Sequence, residues 1–418
     1  MRPGAAWFVA CGLSTGCLDG STQPPASASN DPAGDVPVQR TTSGAIALSN
    51  LGTQIDGLEK ELRRQPDCGS CRIGLSDALL TRAQATSSVS DLERALSVAE
   101  EAVRAQPDAA SYLVRGRARA GLHLFAEAQE DLALARPLHA PDAELLALEA
   151  VLDEATGALG AALELRTQLR RREENILSLG HEAVLRGAMG EYEAADRLFV
   201  RASRAYHDVS PFPVAWVELQ EGLMWQAAGR PARARPYFEQ AHERLPDSLA
   251  AATHLASVTD DPDVAIGLLQ PFAESEDPEP AGQLAALLRL EGRRDEARAL
   301  TQRARTTFVR LLERHPQAYA DHAARFWLGP GADVLAAAVW AHRNLSWRRT
   351  AAAYTLALAA SRAAGDAEGA CATAPAAMLY PWPDPELAPL ALDVLTRCGE
   401  LSHPEHAPDE HFAPPANE

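Results

Sequence analysis

The residues of this sequence most able to do chemistry are its cysteines and histidines. Cys68-Gly-Ser-Cys71 is a C-x-x-C at the start of a predicted helix. A helix N-terminus lowers a thiol pKa, so this pair could serve as a redox couple. The strand-rich setting of a thioredoxin-type site is missing, and Arg72 stands where haem attachment needs His. No second C-x-x-C completes a zinc site. In an exported protein the favoured reading is a local disulfide, with redox or metal handling as alternatives. Cys371 and Cys398 fall on successive predicted helices that should be antiparallel neighbours, so they too are expected to pair. Closing that loop would contribute about 3–4 kcal/mol.

The histidines offer less. His181-Glu182 and His242-Glu243 each begin an H-E pair, but neither has the second His four positions on that a zinc protease requires. Tyr206-His207-Asp208 reads as a turn with a hydrogen-bonded His. The tail HPEHAPDEHFAPPANE (403–418) carries three histidines among acidic residues. Weak metal binding is conceivable there; a solvated disordered segment over 401–418 is the expectation. The sequence has no phosphate-binding G-x-x-x-x-G-K-[ST] and no dinucleotide-binding G-x-G-x-x-G. Its G-x-S-x-G, at 12–16, lacks the strand-turn-helix context of a hydrolase. No catalytic, metal or cofactor residue is assigned.

The first residues, MRPGAAWFVACGLSTGC, combine one arginine with a short apolar run and small residues before Cys17. That is the layout of an export signal over 1–17, too short to cross a membrane. LSTGC resembles a bacterial lipoprotein lipobox, although Ser14 stands where leucine is usual. The resemblance implies lipidation of Cys17. Leu18 rather than Asp follows it, which in this class implies transfer to the outer membrane; ordinary secretion and a cytosolic scaffold whose N-terminus only resembles a signal are the alternatives. Residues 18–48 are rich in Ser, Pro, Ala and Gly without apolar periodicity, as a flexible tether would be.

The chain has 418 residues, of which 46% are hydrophobic, 23% charged and 6% aromatic, which suits a soluble core-forming protein rich in helix contacts. A net charge of −18 argues against nucleic acid and against anionic lipid as partners of the folded body. Any membrane contact is expected through the N-terminal anchor alone.

The elements that would position these residues form a repeat. Ala95, Ala128, Ala162, Ala195, Ala234, Ala265, Ala297, Ala336 and Ala370 recur at intervals of 33, 34, 33, 39, 31, 32, 39 and 34 residues. Twelve positions before each lies a residue that is Ala or Gly in seven units, Thr253 and Leu358 being the exceptions. Glycine recurs five positions before the anchor at Gly157, Gly190, Gly229, Gly292, Gly331 and Gly365, where a turn needs positive φ. Small residues let two helices of a hairpin approach, large ones such as Phe199, Trp225, Phe238 and Trp327 fill the remaining space, and Pro107 and Pro246 end second helices.

The pattern Gly222, Trp225, Gly229, Ala234, Phe238, Ala241, Pro246 resembles the tetratricopeptide repeat, a helix-turn-helix unit of 34 residues. GEYEAADRLFVRA (190–202) matches nearly as well. The resemblance implies an all-α, right-handed superhelical solenoid of about nine hairpins over 49–400. Cap helices are expected near 49–64 and 385–398. It implies binding rather than catalysis, with a peptide or protein segment in the concave groove of a cell-envelope scaffold. The first helices of the family line that groove. Here the corresponding residues are Trp216, Leu219, Leu223, Gln226, Arg289, Asp321 and Arg325, although Trp216 could be core and Asp321 with Arg325 a simple i,i+4 ion pair.

Overall fold

A computed structural model describes residues 39–402. Twenty α-helices and two short 3-10 turns make up the regular structure of the described residues, with no strand. Helix α1 (Gly44–Arg64) precedes nine hairpins. The first three are α2 (Gly69–Thr86) with α3 (Val89–Ala105), α4 (Ala109–Gly121) with α5 (Phe125–Ala135), and α6 (Asp142–Thr156) with α7 (Leu159–Arg172). The middle three pair α8 (Ile176–Ala188) with α9 (Tyr192–Arg204), α10 (Pro211–Ala227) with α11 (Pro231–Arg244), and α12 (Leu249–Ser257) with α13 (Pro262–Leu269). The last three pair α14 (Glu279–Leu290) with α15 (Arg294–Arg314), α16 (Pro316–Leu328) with α17 (Val334–Trp347), and α18 (Ala351–Ala364) with α19 (Ala367–Met378). Helix α20 (Leu387–Ser402) closes the array.

Small residues bring the two helices of each hairpin together. All nine positions twelve before the anchors are buried, seven of them 0–3% exposed and two of them glycines, and Thr253 and Leu358 occupy the place like the others. At Gly222 a Cβ would sit 2.5 Å from the Phe238 ring, so only glycine lets α10 and α11 close to this distance. Trp225, Phe199 and Phe238 are fully buried beside it, and the Arg233 guanidinium lies 3.6 Å from the centre of the Trp225 ring. Short loops follow from local chemistry. Asp108 and Asn175 cap α4 and α8 with reciprocal bonds to Ser111 and Ser178, and Pro107 and Pro246 lie just beyond the ends of α3 and α11.

Several boundaries differ from the sequence reading. Helix α1 begins at Gly44, inside the stretch assigned to the tether, and α20 runs on to Ser402. In the eighth hairpin the anchor is shifted by one residue. Ala337 is fully buried while Ala336 is only partly so, and the positive φ falls on Ala332 instead of Gly331. The turn between α16 and α17 is longer than the others, which moves the register of α17. The two long intervals are explained by the 17-residue α10, preceded by the loop at 205–210, and by the 21-residue α15. Cys17, the export signal and the histidine tail from 403 onward lie outside the described residues.

The solenoid coils until it touches itself. The Ser90 amide donates to Glu276 Oε2 at 2.9 Å, 186 residues away. The His123 Nδ1 lies 3.2 Å from the Gln317 carbonyl, 194 residues away. The Arg349 amide donates to the Thr156 carbonyl at 3.2 Å, and the Thr42 amide to the Val209 carbonyl at 2.8 Å. Glu93 on α3 receives both Arg314, at 2.6 Å, and His315, at 2.7 Å. These contacts recur at similar sequence separations because each joins points one superhelical turn apart. Two turn glycines take part. Gly157 and Gly190 have positive φ; a Cβ on Gly157 would strike the Arg349 carbonyl, and one on Gly190 would sit tightly, 3.3 Å from Pro383.

Candidate binding channel

Successive turns touch, and the concave face between them is a partly open channel lined mainly by first helices, with Leu92, Phe125, Leu159 and Tyr192 contributed from second helices. It has two lobes, of about 220 and 100 Å³, which share Ala120, His123, Gln220 and Leu223 at a waist. The larger lobe has an apolar side built from Leu80, Leu92, Trp216, Leu219 and Leu249. Its polar lining includes His254, Asp277, Glu279 and His322. The smaller lobe is lined by Val151, Leu159, Val184 and Met224, with Glu154, Tyr192, Arg348, Thr350, Tyr380 and Asp384 among its polar groups.

The groove residues inferred from sequence divide into three groups. Trp216, Leu219 and Leu223 do line the channel. Trp216 and Leu223 are nevertheless only 7% and 8% exposed, because both also belong to the core shared by α8–α12, where Trp216 lies against Gly180 and His181. Gln226 is buried in a side-chain network, its Oε1 3.0 Å from His254 Nδ1 and its Nε2 donating to Ser257 at 3.0 Å. Arg289 is exposed at the C-terminal end of α14 and reaches the Pro330 carbonyl at 3.4 Å, away from the residues lining either lobe. Asp321 and Arg325 form the i,i+4 pair, at 3.1 Å. Asp321 also faces Arg348 at 3.7 Å and His322 at 3.8 Å, so it is the hub of a buried charge cluster and not an open contact.

The electrostatics of that cluster follow from burial and pairing. Burial opposes a charge on His322, but Asp321 and Glu279 outweigh it and raise its pKa to about 9. Glu279, which accepts from His322 Nδ1 at 3.1 Å, is held at about 2 despite its own burial. Asp277 is pushed up to about 6 by burial and by the nearby Glu279. Burial keeps His254 neutral, at about 4, and burial with the Arg348 charge lowers His123 to about 3. Asp321 is held well below the carboxylate range: burial opposes its charge, and the His322, Arg325 and Arg348 charges outweigh that.

The remaining chemical candidates have structural roles. His181 is buried with its ring 4.5 Å from the Trp216 ring, and Glu182 joins Arg170 and Arg186 at 2.5 and 3.0 Å. In the 205–210 loop the hydrogen bond is made by Tyr206, which donates to the Ser210 carbonyl at 2.7 Å; no such bond from His207 is seen. Trp340 stacks on Arg343 at 4.7 Å. Cys68 and Cys71 have Cα atoms 5.3 Å apart, and Cys371 and Cys398 5.8 Å, with the sulfurs of each pair in bonding contact. Sequence reasoning missed Arg348, Glu154 and His322. No local pattern shows that the turn before α18, which carries Arg348, faces the channel.

Nine hairpins with small residues at the helix contacts and positive-φ glycine in five turns define the architecture. The chain is a tetratricopeptide-like solenoid. Solved structures with similar helical arrays include the Cut9–Hcn1 hetero-tetramer of the APC/C (13% identity, TM-score 0.43, 82% of this chain and 58% of that one). Yeast Tom70 is similar at 15% identity and a TM-score of 0.37, over 86% of this chain and 94% of that one. YrrB, described as a TPR protein with an unusual peptide-binding site, is similar at 17% identity and a TM-score of 0.28, over 46% and 95%. The chain thus spans less than two thirds of the Cut9 chain it matches. No family model matches the sequence, and no curated protein sequence is similar to it.

Proposed function

We propose that this chain is a non-enzymatic binding scaffold whose recognition surface is the inner channel. The observation that carries this reading is convergence: first helices from units far apart in sequence, among them α2, α4, α10, α12 and α16, deliver side chains to one partly open cavity. An apolar lining with a few fixed polar groups is the usual composition of a recognition site. The natural occupant is an extended segment of a peptide or protein partner, admitted where the turns part. The scaffold works in the bacterial cell envelope, held at the outer membrane by a lipid on Cys17. Support for this location comes from the LSTGC stretch and the polar residues after it. The two cysteine pairs act as braces at the ends of the array, where a terminal hairpin has one neighbour instead of two.

The test is a photo-crosslinking amino acid placed at Leu219, in the channel, or at Arg289, outside it. In cells of the native source, the Leu219 probe should capture a defined partner that the Arg289 probe does not. Equal capture from both positions would remove the channel as the recognition surface.

A further inference from the structure

We propose that the larger lobe selects a basic side chain: the partner segment lays a peptide unit against the Gln220 amide at the waist and places a lysine with its ammonium at Asp277 and Glu279. This rests on the channel reading and adds a sequence requirement to it.

Gln220 is 7% exposed and lines both lobes. Its amide makes no hydrogen bond to any described residue, and its polar atoms are not sealed by protein, so they open on the channel. A nearly buried side chain with a free acceptor and a free donor group matches a peptide unit, which offers one of each. Gln226, also on α10, is satisfied instead by His254 and Ser257. Four charged groups line the larger lobe, and three of them are matched. Arg117 bonds Asp77 at 2.8 Å and reaches Glu144 at 3.3 Å. Glu279 accepts from His322 at 3.1 Å, and His322 lies 3.8 Å from Asp321. Asp277 forms no ion pair among the described residues; its Oδ1 accepts from the Glu279 amide at 2.9 Å, and its Oδ2 is left over. Both carboxylates are partly exposed, so a ligand can reach them. Burial and the Glu279 charge both work against the charged form of Asp277, and a ligand cation would offset them. His123 and His254, held neutral, add no positive charge to the lobe. Leu80, Leu219 and Leu249 suit the methylene stem of lysine, which packs on apolar surface while its head stays charged. The net charge of −18 favours a basic partner over an acidic one.

The experiment is calorimetric titration of the purified full chain with butylamine and with three acetylated, amidated heptapeptides, Gly-Ser-Ala-X-Ala-Ser-Gly, in which X is lysine, norleucine or glutamate. The lysine peptide should bind saturably at one site. The norleucine peptide, with the same stem and no charge, should bind weaker by about tenfold or more, the loss expected for one charge-assisted bond. The glutamate peptide should be weaker still. Butylamine has the head and stem without the main chain and should also bind more weakly than the lysine peptide; equal affinity would assign the lobe to a free amine and overturn the peptide contact. Asp277→Asn keeps an acceptor for the Glu279 amide and should erase the preference for lysine over norleucine. Gln220→Leu should weaken both peptides by a similar factor, and unchanged affinity would overturn the contact at the waist. Should either variant fold poorly, the comparison of peptides on the unaltered protein still decides. No saturable binding of the lysine peptide, or norleucine binding as tightly, overturns the proposal. If the Leu219 crosslinker captures a partner while lysine shows no advantage over norleucine, the channel reading survives and the basic side chain is wrong. If the crosslinker shows no channel-specific capture but the lysine preference holds and is lost in Asp277→Asn, the basic subsite is right and the scaffold reading is wrong.

Discussion

Gly222→Ala adds one methyl group where the packing allows none. Its Cβ would fall 2.5 Å from Phe238 Cε1 and 2.6 Å from Cδ1, against about 3.5–4.0 Å for an unstrained carbon contact. The Phe238 ring cannot retreat, since it is fully buried and stacked 5.5 Å from the His254 ring. Overpacking of this kind costs about 1–3 kcal/mol. Alanine also gains about 1 kcal/mol over glycine in a helix interior, which masks part of that cost. Gly57→Ala is the control: Gly57 lies within α1, is exposed, and has nothing within 4 Å of its built Cβ. The control receives the same helical gain without the clash, so the difference between the two variants isolates the packing term. A repeat array need not unfold in one step. The assay is therefore native-state hydrogen exchange on α10 and α11 for Gly222→Ala and on α1 for the control, each against wild type. The account predicts a difference of about 1–3 kcal/mol. A difference below about 0.5 kcal/mol, within the ordinary range for surface changes, would refute the small-residue packing argument.

Other expectations follow from the same geometry. Gly157→Ala should be worse than Gly365→Ala, since both have positive φ but only Gly157 abuts a carbonyl of the next superhelical turn; equal melting temperatures would contradict this. Cys17→Ser should move the protein from the membrane to the soluble envelope fraction, and an unchanged distribution with no acyl mass on the wild-type N-terminal peptide would refute the anchor. Cys371→Ser should lower protection from exchange in α18–α20 while the central hairpins are unaffected; free thiols at Cys371 and Cys398 in protein from an oxidising compartment would rule out the brace. His322, raised to about 9 from its ordinary 6.5, contributes stability that is fully present below 6.5 and lost as pH rises through 9. His322→Gln should therefore destabilise by on the order of 3 kcal/mol near pH 6 and progressively less toward pH 10. A penalty independent of pH in chemical denaturation would contradict the charged pairing with Glu279 and Asp321.

Much of the architecture was legible because it is local. The anchors and the glycines five positions before them report contacts within one hairpin, and such contacts repeat with the chain. Where the pattern failed, an irregular turn was responsible: the added residue before α17 moved the anchor from Ala336 to Ala337 and the positive φ from Gly331 to Ala332. Closure of the superhelix was not legible. Its contacts, such as Ser90 with Glu276 or Gly157 with Arg349, join single residues nearly half the chain apart and leave no period to read. That closure changed the meaning of the site. Trp216, Leu219 and Leu223 were placed on the inner face by their helix positions, but nothing local shows that the next turn partly closes the face or that Arg348 reaches it. Arg289 sits on a first helix too, yet at the end of α14 it points to Pro330 instead.

The central claim is that the solenoid closes on itself and partly encloses its concave face. It is tested most directly by pulsed electron–electron spectroscopy between spin labels introduced through a non-natural amino acid at Ser90 and Glu274. Both sites are exposed, and they flank the contact between Ser90 and Glu276. The account predicts a single narrow short-distance peak for the protein in solution. A long or broad distribution, as from an open coil whose successive turns do not meet, would contradict it.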